Sequence, residues 1–153
     1  MTRDSQPGPI AYHSVTPYLT VSDATEALAF YKAAFGAVEL FRLAEPTEKV
    51  MHAEMRVGNS VLMLADEYPD LGVRGPLAYG GSPVSLLLYV VDADAQVEQA
   101  IAAGAKLVRP VKDQFYGERS GAVADPFGYT WTIATQKPEL RPDESFDAAD
   151  IST

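Results

Sequence analysis

The chain contains no cysteine, and that one absence removes disulfides, thiolate zinc sites and cysteine nucleophiles together. Any metal would have to be held by His, Asp or Glu. Basic clusters are missing too: the 12 Lys and Arg residues form no run and the formal net charge is −9, so nothing marks a phosphate-contacting surface. No nucleic-acid partner is expected. Apolar runs fall well short of the ~20 residues that span a bilayer, and the opening Met1-Thr2-Arg3-Asp4-Ser5-Gln6-Pro7-Gly8 lacks the apolar stretch of a signal peptide. These absences lead to the expectation of a cytoplasmic protein with no membrane partner.

What is present suffices for a packed core, because 47% of the 153 residues are hydrophobic and that length suits one compact domain. The acidic balance serves solubility, with a field favouring cationic small molecules as a second reading. The chain also repeats itself. Val15 to Ala37 is echoed by Val84 to Ala105: each has a β-type run ending in Val-x-Asp, an Ala-rich helical segment and a closing Gly-Ala. Halves of this kind sit about a pseudo-twofold axis, so the cleft between them is the first place to look for function.

The pattern predicts strands at Val15 to Val21, Val38 to Arg42, Lys49 to Val57 and Ser60 to Ala65, with Gly58-Asn59 as a tight turn. Ser22 or Asp23 caps the first helix, whose stripe is Ala27, Phe30, Tyr31, Ala34 and Phe35. The second half predicts a strand at Val84 to Val91, a helix capped by Asp92 or Asp94 with the stripe Val97, Ala100 and Ile101, and a strand at Lys106 to Pro110. A polar loop at Gln114 to Gly121 precedes strands at Ala122 to Ala124 and Tyr129 to Ala134. The segment 66–82 holds two prolines and four glycines without periodicity, and reads as a connector or a binding loop. The order is βαβββ twice: a tail over 1–13, one domain over 14–135 (module one 14–67, connector 68–82, module two 83–135) and an acidic tail over 136–153.

The segment Ala29-Phe30-Tyr31-Lys32-x-x-Phe35-Gly36, the paired Val21-Ser22-Asp23 and Val90-Val91-Asp92, the Ala103-Gly104-Ala105 closure and the turn Asp125-Pro126-Phe127-Gly128 together resemble the vicinal oxygen chelate superfamily. That is the group of glyoxalase, bleomycin-resistance protein and extradiol dioxygenase, and the uncharacterised glyoxalase-like branch is the nearest in character. The resemblance implies an α+β fold of tandem βαβββ modules whose curved sheets form a cavity, and a homodimer built around it. Metal-dependent members hold a divalent ion that steadies an enolate-like intermediate. The positions matching their four ligands are Thr16, Met63, Ser85 and Thr132. Three hydroxyls and a thioether offer a hard cation neither charge nor basicity, so no metal and no cofactor is expected.

Other residues come into view as ligand contacts. His52, Glu54 and Arg56 alternate with Met51, Ala53, Met55 and Val57 and share one face of a predicted strand; either His52 and Glu54 face the cavity and bind ligand or act as an acid-base pair, or this is a solvated face. Phe115, Tyr116 and Arg119 combine aromatic surface with a guanidinium fork suited to an anion, or Arg119 bridges to Glu118 or Asp113. Tyr18 and Tyr89 are further candidate walls. His13 reads as a boundary histidine and Trp131 as packing. Two functions follow: a metal-free protein binding a small aromatic or amphipathic molecule, as antibiotic-sequestering members do, or a glyoxalase-type lyase or isomerase using His52 and Glu54. A dimeric scaffold without a ligand is a third.

Overall fold

The computed structural model describes residues 9–142. Its elements run β1 (Tyr18–Val21), α1 (Ala24–Phe35), β2 (Val38–Ala44), β3 (Val50–Val57), β4 (Ser60–Asp66), β5 (Leu86–Tyr89), α2 (Ala93–Ala103), β6 (Lys106–Gln114), β7 (Glu118–Ala124) and β8 (Thr130–Gln136). They form two four-stranded sheets of equivalent order, β1-β4-β3-β2 and β5-β8-β7-β6. In each, the first strand pairs in parallel with the fourth and the remaining pairs are antiparallel. The α+β fold of two βαβββ modules is therefore the one the chain adopts.

The repeated motif has a mechanical meaning. The Asp of each Val-x-Asp has extended backbone and caps the following helix, Asp23 accepting from the Glu26 N–H at 3.0 Å and Asp92 from the Ala95 N–H at 3.1 Å. A side chain from the last strand of each module holds the next helical N–H: Asp66 accepts from Ala24 and Thr135 from Ala93. Gly36 takes φ 69°, and the bonds from Gly36 to Lys32 and from Ala37 to Tyr31 close α1.

The modules share one core. Two glutamines of α2 reach the open carbonyls of α1, Gln96 donating to Ala34 at 2.6 Å and Gln99 to Ala33 at 2.9 Å. Beneath them Phe30, Tyr31 and Phe35 of α1 meet Phe127 and Trp131 of the second module, with Phe35 and Trp131 centroids 4.6 Å apart. Asp125 sits inside this cluster, accepting from the Tyr31 hydroxyl at 2.6 Å, the Trp131 indole at 2.9 Å and the Phe127 and Tyr129 amides, both at 2.9 Å. The aromatic residues of the first motif and the Asp125 turn of the second thus meet at the joint between modules.

Several boundaries differ from the sequence expectation. β1 begins at Tyr18 rather than Val15 because Pro17 has no N–H to give and contributes only its carbonyl, to Met63. β5 is likewise short, leaving Val84 and Val91 exposed. Pro110 does not end β6, which runs to Gln114: the strand lies at a sheet edge and its register shifts between Arg109 and Lys112, where a proline is tolerated. The expected loop from Gln114 to Gly121 is accordingly a short turn, with β7 starting at Glu118. Met51 and Ile101 are exposed, the former at a register shift between β2 and β3.

The connector is not patternless. It holds two 3₁₀ turns, Pro69–Leu71 and Pro76–Tyr79, each opened by proline and closed by glycine. Gly75 presses against β1 so closely that a Cβ there would lie 2.7 Å from the Thr20 carbonyl oxygen. Of the two tails, residues 1–8 and 143–153 lie outside the described region. Among the described residues, no helix is long and apolar enough to cross a membrane.

Tyr31→Phe removes a buried donor to a carboxylate and is expected to cost about 1.5–3 kcal/mol in urea unfolding. Burial, then the Asp125 charge, pushes the Tyr31 hydroxyl well above its ordinary value. Its contribution is therefore complete below about pH 10, the ordinary tyrosine value, and lost as pH rises through the higher folded-state value. Wild-type stability should fall more steeply than that of Tyr31→Phe in alkaline solution; parallel pH curves would contradict the assignment.

Candidate functional site

β3 separates two chemistries by parity. Ala53, Met55 and Val57 enter the core beneath α1, which turns His52, Glu54 and Arg56 to the helix-free face of the first sheet. Glu54 is only 5% exposed. Its Oε1 accepts from the Tyr12 hydroxyl at 2.7 Å and lies 3.5 Å from His52 Nε2. On the other side of the ring, His52 Nδ1 is 2.8 Å from the Tyr18 hydroxyl. Met63, on β4, is in register with both Tyr18 and Glu54, and Phe41 of β2 stands 6.2 Å from the His52 ring.

The charges set the proton positions. The Tyr12 hydroxyl ionises above its ordinary value, first through its bond to Glu54 and then through lost water contact; Tyr18 is raised by lost water contact and then by the Glu54 charge. Both phenols are donors at neutral pH. With Tyr18 donating to Nδ1, a neutral His52 carries its proton on Nε2, facing Glu54; this tautomer is assigned from the network. At 3.5 Å that contact is electrostatic rather than a short hydrogen bond. Glu54 Oε2 takes no hydrogen bond from the described residues and is not itself fully enclosed, so an acceptor is left open to solvent on an aromatic-walled face.

The sequence-predicted residues divide. Tyr18, His52, Glu54 and Met63 are brought together. Thr16 precedes β1 and donates its hydroxyl to the His13 carbonyl at 2.9 Å, while Ser85 is exposed just before β5. Thr132 lies on β8 opposite Leu87 and Ala122. Phe115 and Tyr116 stand half-exposed at the β6–β7 turn, their rings edge to face at 5.1 Å.

Of the two readings of Arg119, the internal bridge holds and the ligand fork does not. It faces the helix side of β7, where Nε and Nη2 donate to both oxygens of Asp94 at 2.7 and 3.0 Å and Nη1 donates to Asp113 at 3.2 Å. The fork is filled from within, by the foreseen Asp113 and by Asp94, which was not foreseen; this lowers the Asp94 carboxyl and raises the guanidinium. Trp131 is core, its indole spent on Asp125.

The four inherited metal positions do not fit a hard divalent ion. Thr16, Met63, Ser85 and Thr132 provide no anionic donor, and among the described residues no three of His, Asp and Glu gather to replace them. The modules also differ from each other. Met63 corresponds to Thr132 by register, so Glu54 corresponds to Ala122 and His52 to Ser120. The polar group belongs to the first module alone.

Among the cavities formed by the described residues, two bear on the site. One, of about 440 Å³, lies where the β3–β4 turn approaches β5, with His13 and Trp131 in its wall. This is the cleft between halves, and of the residues expected at a ligand or its walls only Tyr89 lines it. The other, of about 640 Å³, lies on the helix-free face under Pro9, Ile10 and Ala11, against Phe41 and Arg56. Tyr12 and this N-terminal cover escaped the sequence reading because only tertiary folding returns them to β3. Phe41 was not singled out either, although its alternation with Leu43 along β2 is a signal that could have marked it.

Paired βαβββ modules with a helix-built joint define a glyoxalase-like architecture, and the comparisons agree. The sequence profile of the Glyoxalase/Bleomycin resistance protein/Dioxygenase superfamily matches residues 11–133; the chain belongs to that superfamily. An uncharacterised protein of Mycobacterium bovis is 41% identical over 134 residues, covering 86% of this chain and 88% of the relative. The crystal structure of an Arabidopsis thaliana gene product superposes with TM-score 0.64 at 31% identity, over 81% of this chain and 99% of that one. The fosfomycin resistance protein FosX of Listeria monocytogenes shares the fold, with TM-score 0.63 at 15% identity over 87% of this chain and 100% of its own.

Glu54→Gln keeps the shape of the site and removes its charge. The Tyr12 hydroxyl should then ionise at lower pH than in the wild type, as read by NMR titration of tyrosine ring carbons with Tyr12→Phe for assignment. An unmoved Tyr12 titration would show that the contact does not form in solution.

Proposed function

We propose that the protein binds a small aromatic or amphipathic molecule on the helix-free face of its first sheet, without a metal, and that it works in the cytoplasm as a homodimer. Glu54 carries this reading. A carboxylate nine-tenths buried, with one oxygen held by Tyr12 and the other open among Tyr18, Phe41 and Met63, is a weakly hydrated acceptor that a guest's donor can meet. Rings on such a wall stack on an aromatic body, and Met63 adapts to its shape. The homodimer is supported by large apolar side chains exposed on both modules, among them Phe41, Leu43, Leu87, Tyr89 and Tyr116.

A second reading, a lyase or isomerase, is favoured by the Tyr18-His52-Glu54 chain, which could pass a proton between a substrate and the ring. The two differ in what the dyad does after binding. In the binding reading no bond of the ligand changes.

Elemental analysis of protein purified without a histidine tag should find substoichiometric zinc, nickel, iron and manganese; one ion per chain would overturn the metal-free reading. Light scattering should give the mass of two chains. In a thermal-shift screen of aromatic amines and amphipathic metabolites, His52→Ala and Glu54→Gln should each weaken a hit by roughly 10-fold to 100-fold, the equivalent of one charge-assisted bond. Full affinity in both variants would remove the face from consideration.

A further inference from the structure

Arg56 is the third residue on the face of β3 that holds His52 and Glu54, in register with Val38 on β2 and Val61 on β4. Its partners are the point of interest. Arg42 is paired with Glu39 and Arg119 with Asp94 and Asp113, whereas the Arg56 guanidinium makes no ion pair or hydrogen bond among the described residues. It lines the 640 Å³ cavity, whose other walls include Ile10, Leu40, Phe41, Asn59 and Val61. That volume is in the range of small-ligand sites. An unpaired guanidinium presents a planar fork of donors that matches an oxyanion, and here it sits at the edge of an apolar enclosure.

Polarity along β3 orients a guest. Residues two apart on one strand lie roughly 6.6 Å from each other, so Arg56 and Glu54 place opposite charges at neighbouring points of one face. Electrostatics would therefore disfavour an anionic group at Glu54 and favour it at Arg56, and would favour a donor or cationic group at Glu54.

We propose that Arg56, with Ile10, Leu40, Phe41, Asn59 and Val61, forms an anion subsite that receives the carboxylate, sulfonate or phosphate end of an aromatic molecule. The inference rests on the reading that the helix-free face of the first sheet binds small molecules, and it narrows the ligand to one with an anionic end directed away from Glu54. Long-range attraction is not required. In a chain of net charge −9, the selectivity comes from contact at a single guanidinium.

Two fluorescent probes of matched shape separate the subsite from the face: anilinonaphthalene sulfonate, which is anionic, and uncharged phenylnaphthylamine. With the full chain, both should bind, and Phe41→Ala should weaken both. Arg56→Gln should weaken the sulfonate probe by about tenfold and leave the uncharged probe within about twofold, while Arg56→Lys should recover part of the loss. Arg56 is exposed, so the unfolding midpoint of each variant should match the wild type. Equal loss of both probes in Arg56→Gln, or no loss of either, overturns the anion subsite; in that case weakening of the uncharged probe by Phe41→Ala still upholds the binding face. Failure of the wild type to bind either probe overturns both.

Discussion

The carboxylate of Asp125 is the interaction on which the rest of this structure depends. It is buried, and a buried charge persists only when its lone pairs are met. Four donors meet them: the Phe127 and Tyr129 amides from its own turn, the Trp131 indole from β8, and the Tyr31 hydroxyl from the other module. One side chain therefore shapes the turn, aims the tryptophan and clamps α1 to the second sheet. Around it the aromatic rings of both modules pack into a single core, so neither half completes its apolar burial alone.

The joint decides where the site can be. Because α1 and α2 spend their apolar faces on each other and on one side of each sheet, the opposite side of each sheet is left without a helix. On the first sheet that side carries Tyr18, His52, Glu54 and Arg56, covered in part by Tyr12 and the segment before it. On the second, the corresponding positions are the small residues Ser120 and Ala122. The repeat conserves the frame and breaks its symmetry in the side chains. A charged, aromatic face in one module and a smooth one in the other suit a guest bound by the first and accommodated by the second.

Much of the fold was legible because its signals are local. Asp23 and Asp92 cap helices in either copy, Gly36 ends one, and the stripe from Ala27 to Phe35 repeats at helical spacing. Errors fell where a neighbour overrides local preference. Pro110 looks like a strand end until a bulge at the sheet edge admits it, and beside the foreseen Asp113 the Arg119 fork takes a partner no local pattern announces, Asp94, distant in sequence.

The sequence by itself determined the doubled βαβββ order, the parity that puts His52, Glu54 and Arg56 on one face, and the unfitness of Thr16, Met63, Ser85 and Thr132 for a divalent ion. Periodicity and donor chemistry are properties of residues and their near neighbours. Only the tertiary structure decided that Glu54 is buried under Tyr12, that Arg119 is occupied and that Arg56 is not. Desolvation and pairing depend on what the fold brings from elsewhere in the chain, and a linear sequence does not carry that information at the residue concerned.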